Sequence, residues 1–257
     1  MLREASPFGE KEWQHIPWTE EAKSVDQQIY DCGFELGSLL ERADRLKQTE
    51  PNSGSQPQLV ELLRSCLVLN SAFEKLHQEH FGDFLLTNSQ ALGGPRSDDT
   101  RPETASPAVM NQIMLVLNLW GMQLLLGFVA DGLGGAGHRL SSTEEGDLIS
   151  LGGMCQSWSN ESALAKVAYA ILRYMPLCLG KGASESTASR TIFPITVVMW
   201  QFRHSPAEFA RAGELKKQIL EMRNMRFIGG NYQVKPLLPN ISRDDGGLTS
   251  VDSKRRT

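Results

Sequence analysis

The chain has 257 residues, 40% of them apolar and 22% charged, with a net charge of −4 and an isoelectric point near 5.8. That length serves one large domain or two small ones and can bury a core without covalent staples. The acidic balance excludes a global basic field for nucleic acid, leaving only a local patch as an option.

The first 23 residues are polar with three aromatic anchors, Phe8, Trp13 and Trp18. They contain no apolar run of the kind a signal peptide needs, so the sequons at Asn160 and Asn240 are expected to be unused. Aromatic area is costly to leave in water, so Trp13 and Ile16-Pro17-Trp18 are predicted to plug a hydrophobic groove. Ser24 with Gln27 then forms a capping box. Val25, Ile29, Cys32, Leu36, Leu39, Ala43 and Leu46 follow on one helical face. Gly33 and Gly37 lie near that stripe, where they would let a neighbouring helix come close. Pro51 and Ser53-Gly54-Ser55 end the pattern.

A second helix is predicted from about Gln58 to His80, with Leu59, Leu62, Leu63, Cys66, Leu69, Phe73 and Leu76 inward. The short link between two apolar stripes implies an antiparallel hairpin. His77 and His80, with Glu79 and Asp83 near, have a spacing that metal ligation tolerates. Histidines at a helix end more often complement its dipole, and that is the preferred reading. Residues 90 to 106, rich in Gly, Pro, Ser and Asp, read as a flexible loop.

The stretch 107 to 130, PAVMNQIMLVLNLWGMQLLLGFVA, is the most apolar part of the chain. Ser106 is a good N-cap and Pro107 suits a first helical position. Apolar residues cover nearly every face, which describes a helix surrounded by other helices. The span is also about long enough to cross a bilayer, which takes roughly twenty apolar residues. Against a membrane stand Asn111, Gln112, Asn118 and Gln123, amides that would need partners in lipid. No Lys or Arg cluster flanks either end. A buried core helix is the preferred reading, with a membrane segment as the alternative.

Gly132-Leu133-Gly134-Gly135-Ala136-Gly137 formally fits a dinucleotide fingerprint. That fingerprint needs a short strand before it and a helix directly after it, and an acidic residue about 20 residues on. The preceding run is too long for a strand, so a glycine-rich helix exit is predicted instead. From Glu144 the chain is helical again, with Asn160 able to cap a segment that ends near Pro176. Residues 180 to 191 read as a polar loop. Ile192-Phe193-Pro194-Ile195 opens a short, very apolar helix. Ser205-Pro206 with Glu208 suggests a capping box for a helix burying Phe209, Ala212, Leu215, Ile219 and Met222. Lys216, Lys217, Arg223 and Arg226 read as a solvated face balanced by Glu214 and Glu221. Gly229-Gly230 would stop that helix. The tail from Pro236 is predicted to be disordered, and Lys254-Arg255-Arg256 is weak support for nuclear import.

Cys32, Cys66, Cys155 and Cys178 are not paired at two-residue spacing, so neither a zinc ribbon nor a redox motif is suggested. They read as reduced core thiols of a cytosolic or nuclear protein. The chain contains no Walker loop, no GxSxG elbow and no HExxH motif. No catalytic, cofactor-binding or metal residue is nominated, and the protein is not expected to be an enzyme.

Several landmarks in order resemble the fungal-specific transcription factor domain, the regulatory region of fungal zinc-cluster activators. They are Trp13 with Ile16-Pro17-Trp18, the Gly33 to Leu46 helix, Glu61-Leu62-Leu63, the apolar helix around Leu119-Trp120 to Leu126, Phe193-Pro194-Ile195, and the helix ending near Arg226. The resemblance spans roughly residues 10 to 230. It implies an all-α regulatory domain acting in the nucleus on metabolic or secondary-metabolite genes. The chain departs from the family plan in lacking the six-cysteine zinc cluster and its basic helix, so it resembles the C-terminal half of such a regulator.

The expectation is therefore an all-α, irregular multi-helix array around a buried central apolar helix. Residues 1–235 would form the regulatory domain and 236–257 a polar tail. The function expected is non-catalytic transcriptional regulation through a protein partner or a small effector. Direct DNA binding and membrane association are not expected, and a homodimer and a cytoplasmic location are left open. The alternative is an accessory or enzymatic protein of a fungal secondary-metabolite pathway with an apolar helical pocket.

Overall fold

The computed structural model describes residues 22–48, 56–92, 106–140, 146–179 and 189–222. Among them the fold is all-α, with no strand. The elements are α1 (Val25–Gln48), α2 (Gln56–Leu92), α3 (Pro107–Leu140), α4 (Gly146–Ser159), α5 (Glu161–Tyr174), a 3-10 helix (Met175–Leu179), α6 (Ile192–Gln201) and α7 (Pro206–Met222). The predicted aromatic plug at Phe8, Trp13 and Trp18 lies outside the described residues. So do the predicted linker at 51–55, residues 93–105, residues 180–188 of the predicted loop 180–191, and everything from Arg223 through the expected Gly229-Gly230 stop to the tail; of that predicted loop, Ser189 and Arg190 are helical and Thr191 is a turn.

Helix α3 is the axle. It packs against α1, α2, α4, α5, α6 and the 3-10 helix, while α7 closes on α6 and the 3-10 helix. Ile113, Val116, Leu117, Leu124, Leu126 and Ala130 on α3 are all fully buried. Helices Ala108–Gly135 and Ile149–Leu179 are each long and apolar enough to cross a membrane by length and composition. The first is 83% buried inside the protein, so its apolar faces already have partners. The second is not a continuous rod, because Asn160 sits at φ −67°, ψ 157° between α4 and α5. The α3 amides also find places. Asn111 and Gln112 are exposed. Asn118 Nδ2 donates to Met114 O at 2.8 Å, and Gln123 Nε2 reaches Asn70 Oδ1 on α2 at 3.5 Å.

The helix starts follow their capping chemistry. The Ser24 N–H donates to Gln27 Oε1 at 2.7 Å, the reciprocal half of a capping box. The Val109 N–H donates to Ser106 Oγ at 3.4 Å. The Ala163 N–H donates to Asn160 Oδ1 at 3.0 Å. Because Asn160 also makes the corner between α4 and α5, Asn160→Ala is expected to cost about 1 kcal/mol. Urea denaturation would read this as a lower midpoint at unchanged slope.

Four expectations are corrected. Helix α2 continues past His80 to Leu92. Phe81 is buried, so the apolar stripe extends beyond the two histidines, and Gly82 is carried within the helix. The glycine run 132–137 is not a helix exit, because α3 runs through it to Leu140. Gly134 faces the Gly152 carbonyl and Gln156 of α4, so packing against α4 accompanies the helix through these poor helix formers. The Ser205–Glu208 capping box does not form. The Ser205 N–H donates to Phe202 O at 2.9 Å, and Glu208 Oε1 instead accepts from Tyr169 Oη at 2.9 Å. Finally, Phe209 is 40% exposed rather than buried. α7 leans on the core through a narrow stripe of Ala212, Leu215 and Ile219, and Phe209 falls outside it.

Candidate functional site

An apolar cleft of about 400 Å³ opens where α1, α3 and the start of α6 meet. Ile29, Leu36 and Leu40 of α1 form one wall, and Met114, Leu115 and Met122 of α3 form the floor. Phe193 closes it from α6, and Tyr30, 52% exposed, stands at its mouth. The polar groups at the cleft are Asp26, Asn118, Ser189 and Arg190. Its size falls within the range of roughly 300–1,000 Å³ typical of small-molecule sites, and an apolar lining with few polar groups is the usual character of such sites.

Two glycines shape this cleft. A Cβ at Gly33 would lie 3.2 Å from Met122 Sδ, so α1 and α3 do approach closely there, as expected. At Gly37 a Cβ would meet nothing within 4 Å. No helix closes on it, so Gly37 widens the cleft instead of seating a neighbour. Leucine there would extend into open space and fill it.

The neighbouring end of α6 is pinned to α3 by Gly121. A Cβ on Gly121 would stand 3.0 Å from Phe193 Cε1 and 3.1 Å from Pro194 Cα. The absent side chain therefore lets the Phe193-Pro194 turn lie on α3, and this sets where the cleft's third wall stands. Sequence periodicity marks Gly33 and Gly37 but gives no sign that one is a contact and the other a vacancy.

A second hollow, about 80 Å³, lies where α3 meets the α4–α5 and α6–α7 corners. Asp131, Ser159, Glu161, Arg203 and His204 line it. Ser159 is 1% exposed and its Oγ has no hydrogen-bond partner. The residue types of a nucleophilic triad thus share one hollow without a base bonded to the hydroxyl. The contact that would activate the serine is not made. Arg203 is turned onto Trp200, with its guanidinium carbon 4.3 Å from the ring centre and Nη1 donating to Trp200 O at 3.1 Å.

Of the metal option at His77 and His80, the Asp83 side chain lies outside the described residues, and the others are engaged elsewhere. Among the described residues no group of three or more His, Cys, Asp or Glu could hold an ion. His77 stacks on Trp120 with ring centres 5.9 Å apart, and burial holds its pKa below the usual value. His80 sits edge-on to Phe81 at 6.4 Å, and Glu79 pairs with Lys75 at 3.8 Å. The glycine run supplies no phosphate-cradling loop, since it is helical throughout.

All four cysteines are buried and free. Burial pushes Cys66 and Cys178 up to about 12, with neighbouring Cys155 adding to the effect at Cys66. Burial likewise pushes Cys32 and Cys155 up to about 11. Cys155 Sγ points at Leu63 O, 3.7 Å away. Such thiols are poor nucleophiles, as the reading of them as core residues requires. With iodoacetamide at pH 8, native alkylation is expected to be at least about a hundredfold slower than in the unfolded chain. Mass spectrometry would count the modified sites. Above about pH 9 the folded state keeps protons that the unfolded thiols release. Stability contributed by these groups is full below pH 9 and is lost as pH rises toward 12.

No protein-family model, curated protein or solved structure matches this chain.

Proposed function

We propose that this is a non-catalytic helical regulator of the fungal transcription-factor type, working in the nucleus through an effector or partner held at the α1–α3–α6 cleft. The observation that carries the reading is the cleft itself. It is an apolar hollow of about 400 Å³ beside a fully packed core. A regulator of this kind needs a surface whose occupancy alters the packing of its helices, and this cleft borders the axle helix α3 directly. The ordered landmarks from Gly33 to Ile195 add the resemblance to fungal regulatory domains. Chromatin immunoprecipitation of the tagged protein tests the reading. Enrichment at promoters is expected, and exclusion from the nucleus and from all promoters would sink it.

The same cleft favours a second reading, an accessory protein of a biosynthetic pathway that carries an apolar intermediate. Its other support, the glycine run, is weakened by the helical course of residues 132–137. Titration of NAD and FAD into the purified protein is expected to give no saturable binding. Tight binding of either would favour this second reading over the first.

A further inference from the structure

We propose that the α1–α3–α6 cleft is the seat of the protein's own Ile16-Pro17-Trp18 segment, with the Trp18 indole against Asn118, so that an effector enters only by displacing it. The seating stands without the regulatory reading, and only the competition with an effector rests on that reading. Three observations lead to it.

The first is place. The described chain starts at Ala22, and the residues just before α1 are tied to that helix. Gln28 Nε2 donates to Lys23 O at 3.1 Å, and the Lys23 ammonium pairs with Asp31. Trp18 stands four residues before Ala22, a span of at most roughly 14 Å. Tyr30, at the mouth of the cleft, lies only about 8 Å along α1 from Val25. A guest on so short a tether has an effective concentration on the order of millimolar, so modest contacts suffice to hold it.

The second is the chemistry of the lining. Asn118 is the one side-chain amide at the cleft. Its Nδ2 donates to Met114 O at 2.8 Å, which leaves Oδ1 to accept. The group that answers this has a large apolar body and a single donor. An indole is that group, since its N–H donates and nothing on it accepts. The Met114 and Met122 thioethers and the Phe193 ring also attract an aromatic guest. Outside the described residues, Trp13 and Trp18 are the chain's only tryptophans.

The third is charge and backbone. Asp26 and Arg190 at the cleft have opposite signs, so the rim selects neither a cation nor an anion. Residues 13 to 19 contain no Asp, Glu, Lys or Arg. Pro17 brings no N–H and favours an extended Ile16, so the segment takes fewer unmet donors into an apolar cleft. Trp18 follows that proline directly and is the nearer tryptophan to α1.

The first test places photoreactive p-benzoylphenylalanine at position 18 of the full chain. Illumination is expected to give a monomer whose adduct maps by mass spectrometry to Met114 or Met122. An adduct on a helix away from the cleft would overturn the seating. So would an adduct found only in a cross-linked dimer, which would hand the cleft to a second copy's segment.

The second test titrates the neutral apolar dye N-phenyl-1-naphthylamine. Trp18→Ala is expected to bind it about tenfold tighter than the parent, because the cleft is then open all of the time. Trp18→Phe keeps a ring but loses the donor, and should tighten the dye about threefold. Gly37→Leu, shown to be folded by circular dichroism, should remove both the adduct and the dye site. Gly213→Leu on α7, also open to a Cβ, should leave both unchanged. Equal dye binding by the parent and Trp18→Ala, or an adduct that survives in folded Gly37→Leu, would overturn the proposal. An α3 adduct without promoter enrichment would overturn the transcriptional reading alone, and enrichment with the adduct elsewhere would overturn the seating alone.

Discussion

A Leu124→Asp substitution is expected to abolish cooperative folding. Leu124 has no exposed surface and lies midway along α3, the helix that nearly every other element touches. An aspartate there must either keep a charge in an apolar interior or take up a proton against its normal pKa. Either route, with the lost apolar contacts, costs several kcal/mol, a large share of the ~5–15 kcal/mol that holds a domain together. Leu124→Met conserves volume and is expected to cost less than about 1.5 kcal/mol. The pair separates burial from mere alteration of the site. Thermal unfolding followed by circular dichroism would show a sharp transition for methionine and none for aspartate. An aspartate variant that melts like the parent would mean that α3 is not enclosed by its neighbours, and the core described above would be wrong.

The reason that much of this fold could be read beforehand lies in α3. Its apolar residues cover the whole circumference, and only a helix ringed by other helices satisfies that pattern. Capping chemistry is equally local, so Ser24, Ser106 and Asn160 announce the helix starts they make. What escaped the sequence depends on tertiary contact. Glu208 sits three residues after Ser205, as a capping box requires, but Tyr169 on α5 competes for its carboxylate. The glycines at 132–137 would end an isolated helix, and contact with α4 accompanies this one onward. The cleft was legible only as an expectation of some groove. Its walls come from three helices far apart in sequence, and Phe193 shares that cleft with Tyr30 and Met114 only because α6 is laid on α3 at Gly121. Nothing in a periodic pattern carries that juxtaposition.

Gly127→Val is expected to destabilise the protein by about 3 kcal/mol or more. A Cβ at Gly127 would stand 2.3 Å from Leu164 Cδ2, with Cδ1 and Cγ at 3.2 and 3.3 Å. Leu164 is 4% exposed and borders the hollow of about 80 Å³, so its side chain can yield only by leaving its packed rotamer toward that hollow. Valine adds two γ carbons to that collision. Gly127→Ala presents the conflict in its smallest form. Alanine gains about 1 kcal/mol of helix propensity over glycine, and the clash costs roughly 1–3 kcal/mol, so a net loss is expected. The control is Gly37→Ala on α1, where a Cβ meets nothing within 4 Å and the same propensity gain is unopposed. That variant should be stabilised by about 0.4–1 kcal/mol. A double-mutant cycle then isolates the contact. Leu164→Ala removes the atoms that the new methyl group of Gly127→Ala would strike, so the double variant should be more stable than the sum of the single losses by at least about 0.5 kcal/mol. Urea denaturation of the set decides the matter. Equal responses at positions 127 and 37, or strict additivity with Leu164→Ala, would mean that α3 and α5 do not meet at this glycine. The space that Gly127 leaves is therefore what seats α5 on α3 after the Asn160 corner, as Gly121 seats the start of α6 and Gly134 meets α4.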